Sequence, residues 1–586
     1  MTTIEATRTL PVDPKPADAA IAPAAVEQVP AESALRIWTH RIIALLLATG
    51  MSIAAFWLYT RNNDFPYYFH PDEFKKGGML MAPDQPRTFA HPGLMLEAAN
   101  MLRLATHAEI ESDLQAAVEL GRRASAGMAA LATFTLALAA FRLHGYAGLL
   151  IGGATVALCP PLLVHAHYFK EDATLIGAVG LTILAAVLIA TSKPRLWTQL
   201  LAVLLLAIGC AAAGSAKYVG LAMTAPALIA LLIAPNRRFW HAPVRLVLFL
   251  AVAGATFLAI NFRAFTWENG SLVLNPGIQE NVQWEVDHGM TGHYNLALKI
   301  PNTFTLRIAR SDLMPHVWVF ASLGVLWLIV RHRISRAGIV MLSFLLAWIV
   351  LLSRNAIPIP RYALPITVLA FFIASLLLSK LVYDMQLRWP VVGTIALVVS
   401  VAAVVVLQGQ RCVNFNQQFL DDSRQRLRVW LAGNIPNAGM IAVDSYTGLQ
   451  EPGDIVRFPD TPPLGNIQIP MTMYAADIAS DLQGLADSGV EYVAVAWPGY
   501  MRFLDPEVRG WPEGSYADAL FNRRRAFYVE LFAKGQVAFE SVPNPPTHSY
   551  VNPQVAVYRI KHLARPGTPR AVPQRQPPSM WQRIFG

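Results

Sequence analysis

Four short polar stretches stand out in a chain that is otherwise 54% hydrophobic: "YFHPDEFKKGG" at 68–78, "HYFKEDA" at 167–173, "AKYVGL" at 216–221 and "RYALP" at 361–365. They bring carboxylates (Asp72, Glu73, Asp172), cations (Lys170, Lys217, Arg361) and imidazoles (His70, His167) into an apolar background, and "TFAHPGL" adds His91. Carboxylates with lysine and arginine at one surface suit the transfer of a sugar from a phosphodiester to a hydroxyl. Such a transfer needs a base near the acceptor, which a loop carboxylate can supply. Charge collects on the departing phosphate, so fixed cations or a metal ion must meet it. An anomeric centre with oxocarbenium character also favours a nearby carboxylate.

Each residue has a plainer reading. Asp72 and Glu73 could be the solvated start of a loop. Lys170 and Lys217 could be snorkelling interfacial lysines, although the outer side runs against the usual bias. Arg361 could anchor a span, and His70 and His91, each before a proline, could shape turns. His165 and His167 could hold a metal ion or be hydrogen-bonded loop histidines.

The elements that must position these residues are membrane spans. Charged residues are 15% of the 586, against about 25% in soluble proteins. Apolar runs of bilayer length recur near 36–59, 124–142, 146–164, 173–191, 196–213, 218–234, 244–262, 315–331, 337–353, 362–382 and 390–408. That predicts a polytopic α-helical membrane protein of about eleven transmembrane helices. The short loops "TSKPRLW", "PNRRFWHAPVR", "RHRISR" and "YDMQLRW" all carry Lys or Arg, which places them and the N-terminus in the cytoplasm. The loops 60–123, 160–172, 214–217, 263–313 and 354–361 then face outward, with Arg354 among their charges, and every residue singled out above shares that side. The same rule accounts for the net charge of +9 without nucleic acid.

From 411 to 562 the composition turns mixed, and helix and strand signals alternate. "DSRQRLRVWLAGNIP" and "AADIASDLQGLADSG" read as helices, and "GMIAVD", "VEYVAVAW", "VAFESV" and "QVAVYRI" as strands. This predicts a C-terminal extracytoplasmic α/β domain, and no Gly-rich phosphate loop opens its helices. Residues 1–34 read as a disordered cytoplasmic tail and 563–586 as a Pro/Arg-rich tail. Three scattered cysteines offer neither a zinc spacing nor a disulfide framework. "ENGS" matches a glycosylation pattern at Asn269, of a kind that arises often by chance.

"HPDE" after the first span, "HYFKEDA" opening the fourth, "AKYVGL" opening the sixth and "RYALP" opening the tenth resemble the GT-C glycosyltransferases. The likeness is to the polyprenyl-phosphate-sugar-dependent branch, which includes protein O-mannosyltransferases and lipid A aminoarabinose transferases, and it covers about 36–562. The resemblance implies a GT-C-like catalytic module over 35–410, with outer loops 60–123 and 263–313. It implies hexosyl or pentosyl transfer from a polyprenyl-phosphate sugar donor to an extracytoplasmic acceptor (protein, lipid or envelope polysaccharide) by inverting displacement. Asp72, with Glu73 beside it, falls on the general base, while Lys170, Lys217 and Arg361 fall on the donor phosphate. His70, His91, His167 and Asp172 are candidate substrate contacts. A divalent metal stays open, with Asp72 and Asp172 or His167 as its ligands. Composition suggests a bacterial inner membrane. The rival reading is a transporter or flippase of lipid-linked sugars. Transporters place polar residues within spans near the midplane, whereas here they gather in the outer loops.

Overall fold

The computed structural model describes residues 34–83, 89, 91–192, 196–235, 241–268, 270–291, 296–299, 314–330, 335–353, 360–435, 439–449, 473–543 and 550–565. Nearly all of both expected tails, Asn269, Arg354 and most of 292–313 lie outside the described residues. The chain divides into two units, Met1–Ile43 and Ala44–Gly586. The first contributes only the start of helix α1, and every candidate site residue belongs to the second.

Helix α1 (Ala34–Thr60) leads to α2 (Glu73–Met81) and α3 (Leu94–Thr106), then to α4 (Leu114–Ala157), α5 (Pro160–Ala166), α6 (Glu171–Thr191), α7 (Leu196–Ala216), α8 (Thr224–Ile233) and α9 (His241–Ile260). A hairpin of β1 (Phe265–Glu268) and β2 (Ser271–Leu274) precedes α10 (Pro276–Thr291) and β3 (Leu296–Leu298). The helical part closes with α11 (Pro315–Val330), α12 (Arg336–Ser353), α13 (Leu364–Arg388) and α14 (Pro390–Leu420).

Among the described residues, eight helices are long and apolar enough to cross a membrane. The difference from the eleven expected has two sources. α4 runs two expected spans together through a bend at His144 and Gly145, where Gly145 takes φ 58°, a conformation that glycine adopts without a Cβ clash. The segments Tyr218–Ile233 and Pro315–Val330 are shorter apolar helices. α6, apolar on all sides, is almost wholly buried, as expected of a central helix. It packs tightly on α4: a Cβ at Gly177 would stand 2.5 Å from the Met128 carbonyl oxygen. Small residues at such a crossing let the two backbones approach. α9 and α14, by contrast, leave side chains such as Val247, Val391 and Val398 exposed, the surface that lipid would cover.

The described part of the first expected outer loop is helical. α2 and α3 bury Leu80, Met95 and Ala99 against Ala117 and Val118 of α4, each large apolar side chain contributing about 1.5–3 kcal/mol. Their apolar spacing, too short for a span, is the one sign of these two helices in the sequence.

The C-terminal region holds α15 (Ser423–Asn434), β4 (Ile441–Val443), α16 (Leu482–Asp487), β5 (Tyr492–Ala496), α17 (Trp497–Leu504), β6 (Val508–Gly510), α18 (Tyr516–Lys534), β7 (Gln536–Ser541) and β8 (Val555–Arg559). Its sheet has the order β4-β5-β8-β7, parallel between β4 and β5 and antiparallel elsewhere. All four expected strands are present. The helix expected over "AADIASDLQGLADSG" is reduced to a 3-10 turn and the six residues of α16, and α18 is an addition to the expected elements. Leu485, Val493 and Tyr528 pack together in one core of this region, and Leu427, Val443 and Val557 in another. β3 pairs antiparallel with β6, Leu296 opposite Gly510, which ties the segment after α10 to this region.

Candidate active site

The candidate residues sit where helices start or stop. Asp72 stands at the start of α2 without a side-chain capping bond, and its backbone N–H donates to His70 Nδ1 at 3.2 Å. Lys170 is extended just before α6, leaving Glu171 and Asp172 in the first turn, where the helix dipole favours carboxylates. Lys217 is extended after α7, and Arg361 lies in the 3-10 turn Pro360–Ala363 ahead of α13.

These breaks converge. Lys170 Nζ contacts Asp72 Oδ2, and Arg361 Nη1 approaches the same oxygen at 3.4 Å. Lys217 Nζ donates to Asp172 Oδ1 at 2.9 Å and lies 4.3 Å from the centre of the Tyr362 ring. Arg361 is also close enough to Asp172 for their charges to act on each other. Behind them, Lys76 pairs with Glu171 Oε1, while Glu171 Oε2 lies 3.7 Å from Lys170 and 3.9 Å from His91 Nε2. α10 brings Glu285 to 3.6 Å from His91 Nδ1. The lysines and Glu171 are nearly buried, whereas the Asp72 side chain is 38% exposed.

The electrostatics follow from this packing. Burial alone would raise the Asp72 carboxyl, but Lys170 and then Arg361 hold it well below the usual carboxylate range. Burial would lower Lys170, but Asp72 keeps it raised. Lys76 is pushed down to about 8 by burial, which Glu171 only partly offsets. Burial takes His91 to about 3 and His70 well below its ordinary value, so both imidazoles are neutral at pH 7. His70 therefore accepts at Nδ1, with its ring 4.6 Å from those of Tyr168 and Tyr550.

Several buried polar atoms here have no hydrogen-bond partner among the described residues: Glu171 Oε2, Asp172 Oδ2, His91 Nδ1 and Arg361 Nε. Such atoms are rare in folded proteins, and each calls for an explanation. Together they form a set of donors and acceptors around Asp72 with capacity to spare.

Two expected members stand elsewhere. Glu73 points away from the cluster, fully buried, and both its oxygens are occupied. Arg122 Nε donates to Oε1 at 2.9 Å and Nη2 to Oε2 at 2.5 Å, and the Phe169 N–H adds 2.7 Å to Oε1. Both oxygens are thus engaged inside the fold, and the fully buried side chain has no face open to a substrate. His167 is also buried, with its ring nitrogens at 2.8 Å from Leu163 O and 3.0 Å from Arg61 O, and its ring stacked on Phe419. Both facts make it a brace between α5 and the first span. Among the described residues no three of His, Cys, Asp and Glu converge as a metal site. Asp72 and Asp172 are each met by a lysine, a poor donor set for a divalent ion.

A second arginine completes the frame. Arg424 on α15 donates from Nη1 to Phe69 O at 2.7 Å, from Nε and Nη2 to Asp422 at 2.8 and 2.7 Å, and lies 3.8 Å from the Phe69 ring centre. Arg122 likewise holds Asn63 O and Phe65 O, at 2.8 and 2.6 Å. The segment 63–73 is thus gripped at both ends, and Asp72 is fixed between the grips. Arg122, Arg424 and Glu285 are neighbours of the candidate residues that the sequence pattern does not mark, and it assigns no role to Lys76 or Glu171. For Glu171 the one local signal is its charge between Lys170 and Asp172.

No family model and no curated protein matches the chain. Solved structures do show a likeness. The structure of ArnT from Cupriavidus metallidurans bound to undecaprenyl phosphate is similar over 91% of this chain and all of that one, at 14% identity and a TM-score of 0.45. An Archaeoglobus fulgidus oligosaccharyltransferase complex with zinc and sulfate covers 87% of this chain and 72% of its own, at 11% identity and 0.45. The S. cerevisiae protein O-mannosyltransferase Pmt1-Pmt2 complex bound to its sugar donor covers 37% and 33%, at 15% identity and 0.33. At these values the likeness is too low to assign an activity, and the functional reading rests on the residues of this chain.

Proposed function

We propose that the chain is a membrane glycosyltransferase that takes a sugar from a polyprenyl-phosphate donor and passes it to an acceptor outside the cytoplasm. The observation that carries this reading is one half-exposed carboxylate, Asp72, whose Oδ2 is shared by Lys170 and Arg361. In the proposed step the acceptor oxygen attacks the anomeric carbon as the bond from that carbon to the phosphate oxygen breaks. The acceptor proton passes to Asp72, and the departing phosphate keeps the bonding electrons. Lys170 and Arg361, with Lys217 beside them, stabilise that charge. The configuration inverts because one displacement occurs.

The ion pairs supply a logic for timing. While Lys170 and Arg361 face Asp72, the carboxylate is a weak base. A donor phosphate competes for both cations, and as they turn toward it Asp72 becomes more basic beside the bound sugar. Asp172 holds Lys217, His70 and His91 line the approach as neutral imidazoles, and Glu73 and His167 position the segments that carry the others. The residues 35–410 would form the catalytic module, and 411–562 an outer domain that grips the segment bearing Asp72.

The test incubates purified full-length protein with a panel of labelled polyprenyl-phosphate sugars and a crude envelope fraction. Label passing to the acceptor with matching release of polyprenyl phosphate is expected. Movement of intact donor across reconstituted vesicles, without release, would instead establish the transporter reading.

A further inference from the structure

The far ends of the same helices hold a second constellation, outside the Asp72 site. α6 starts at Glu171 and ends at Thr191, and α13 follows Arg361 and carries Lys380 and Tyr383 in its second half. At 1.5 Å per residue, α6 alone separates its two ends by roughly 30 Å. Between the far ends lies a cavity of about 590 Å³, whose lining includes Arg142, His144, Trp327, Arg336, Lys380 and Tyr383. That volume lies within the range of small-molecule sites, about 300–1,000 Å³.

The lining is one-sided in charge. It includes three permanent cations and, among the described residues, no carboxylate. Asp384, one turn beyond Lys380, pairs with it from outside the cavity. The Arg142 guanidinium is held in place, with Nε donating to Thr191 Oγ1 at 2.9 Å and Nη2 to Thr191 O at 2.7 Å. The first turn of α12 adds Arg336, Ala337 and Gly338 to the wall; Ser335 Oγ already accepts the Gly338 N–H at 3.1 Å, and the helix dipole at this end favours an anion. Leu143, Trp327, Leu328 and Tyr383 complete it with apolar and aromatic surface. The bend of α4 at His144 and Gly145 opens the space, since a straight α4 would carry these residues on along the helix axis.

We infer that this cavity binds a phosphate-bearing anion, and that its occupant is the headgroup of an anionic glycerophospholipid. Cations with a helix N-terminus suit the phosphate, and the aromatic and leucine wall suits the glycerol and upper acyl chain. Basic pockets between membrane helices take such headgroups for this reason. The inference does not depend on the glycosyltransferase reading, because it uses none of the residues around Asp72.

The test uses full-length protein in detergent micelles with a photoactivatable phosphatidylglycerol, and cross-linked peptides are mapped by mass spectrometry. Cross-links are expected on peptides containing residues 142–144, 327 and 383. Unlabelled phosphatidylglycerol should suppress them and phosphatidylcholine should not. Arg336→Gln and Lys380→Gln should each reduce this labelling about fivefold, whereas Lys170→Gln should leave it unchanged. Arg336 is exposed, so its variant tests the site even if replacing the half-buried Lys380 disturbs folding. Suppression by millimolar inorganic phosphate at least equal to that by phosphatidylglycerol would keep the phosphate site but assign it to free phosphate. Equal competition by phosphatidylcholine, or labelling undiminished in the Arg336→Gln variant, would overturn the proposal.

Discussion

Two kinds of buried ionic network lie within a few residues of each other. In the Arg122–Glu73 and Arg424–Asp422 pairs the Arg122 and Arg424 guanidinium nitrogens all donate and both oxygens of each carboxylate accept. Around Asp72 the charges also meet, but Glu171, Asp172 and Arg361 each keep an atom without a hydrogen bond among the described residues. Saturated networks specify one arrangement of the chain, whereas an unsaturated one can accept a further partner without losing what holds it together. Adjacent residues of the same chemical type, Asp72 and Glu73, fall on opposite sides of this divide. Residue type therefore says less about a role than the count of occupied lone pairs.

The contrast can be broken most forcefully at the closed end. Glu73→Gln leaves the buried Arg122 without its counter-charge and sets an NH2 against one of its donors, and the protein should lose about 3–5 kcal/mol of stability, read as a lowered unfolding midpoint in detergent. Asp72→Asn leaves Lys170 still facing Glu171 Oε2 at 3.7 Å and takes away a carboxylate that is itself 38% exposed, so it should cost clearly less than Glu73→Gln. Equal losses in the two variants would erase the distinction.

At the open end the expected effect is on rate. Lys170→Gln should lower sugar transfer by about 10²-fold. It should also move the acid limb of the pH profile upward. Lys170 is the largest influence holding the Asp72 carboxyl down, so its loss raises the pH below which the carboxylate is protonated. A limb that stays in place would separate Lys170 from the base.

A third buried carboxyl sharpens the comparison. Asp444 is fully buried in the C-terminal core, where Tyr528 Oη donates to it at 2.7 Å and the Ala475 N–H at 2.8 Å. Burial pushes it up to about 7, so between pH 4 and 7 the folded state binds the proton that the unfolded state has released. Stability should therefore fall as pH rises through that window, by at most about 1.4 kcal/mol per unit from this group. Asp444→Asn should flatten the slope, and an unchanged slope would mean that other groups set it. The smallest effect belongs to Tyr362→Leu, which removes the ring beside Lys217 and should weaken donor binding about two- to fivefold; unaltered binding would remove Tyr362 from the site.

Much of this was legible in the sequence. Apolar run lengths located the helices, and the basic short loops put Asp72, Lys170, Lys217 and Arg361 on one side, where the structure brings them together. Alternation of short apolar runs located the four strands. The rest depended on partners far along the chain. Nothing near Glu73 announces Arg122, which is 49 residues away, and nothing near Phe69 announces Arg424, 355 residues on. The burial of His167 likewise depends on Phe419. α2, α3 and α10 were hidden for another reason: they are amphipathic segments too short for a bilayer, and a search for spans passes over them.

The central claim is that Asp72 removes the acceptor proton and does not merely hold two cations. Its most direct test measures donor binding and sugar transfer together on purified Asp72→Asn protein. The account predicts donor affinity equal to or tighter than the wild type, since Lys170 and Arg361 are released to the phosphate, with transfer reduced by about 10²–10⁴-fold. Transfer at the wild-type rate with the donor bound would contradict it.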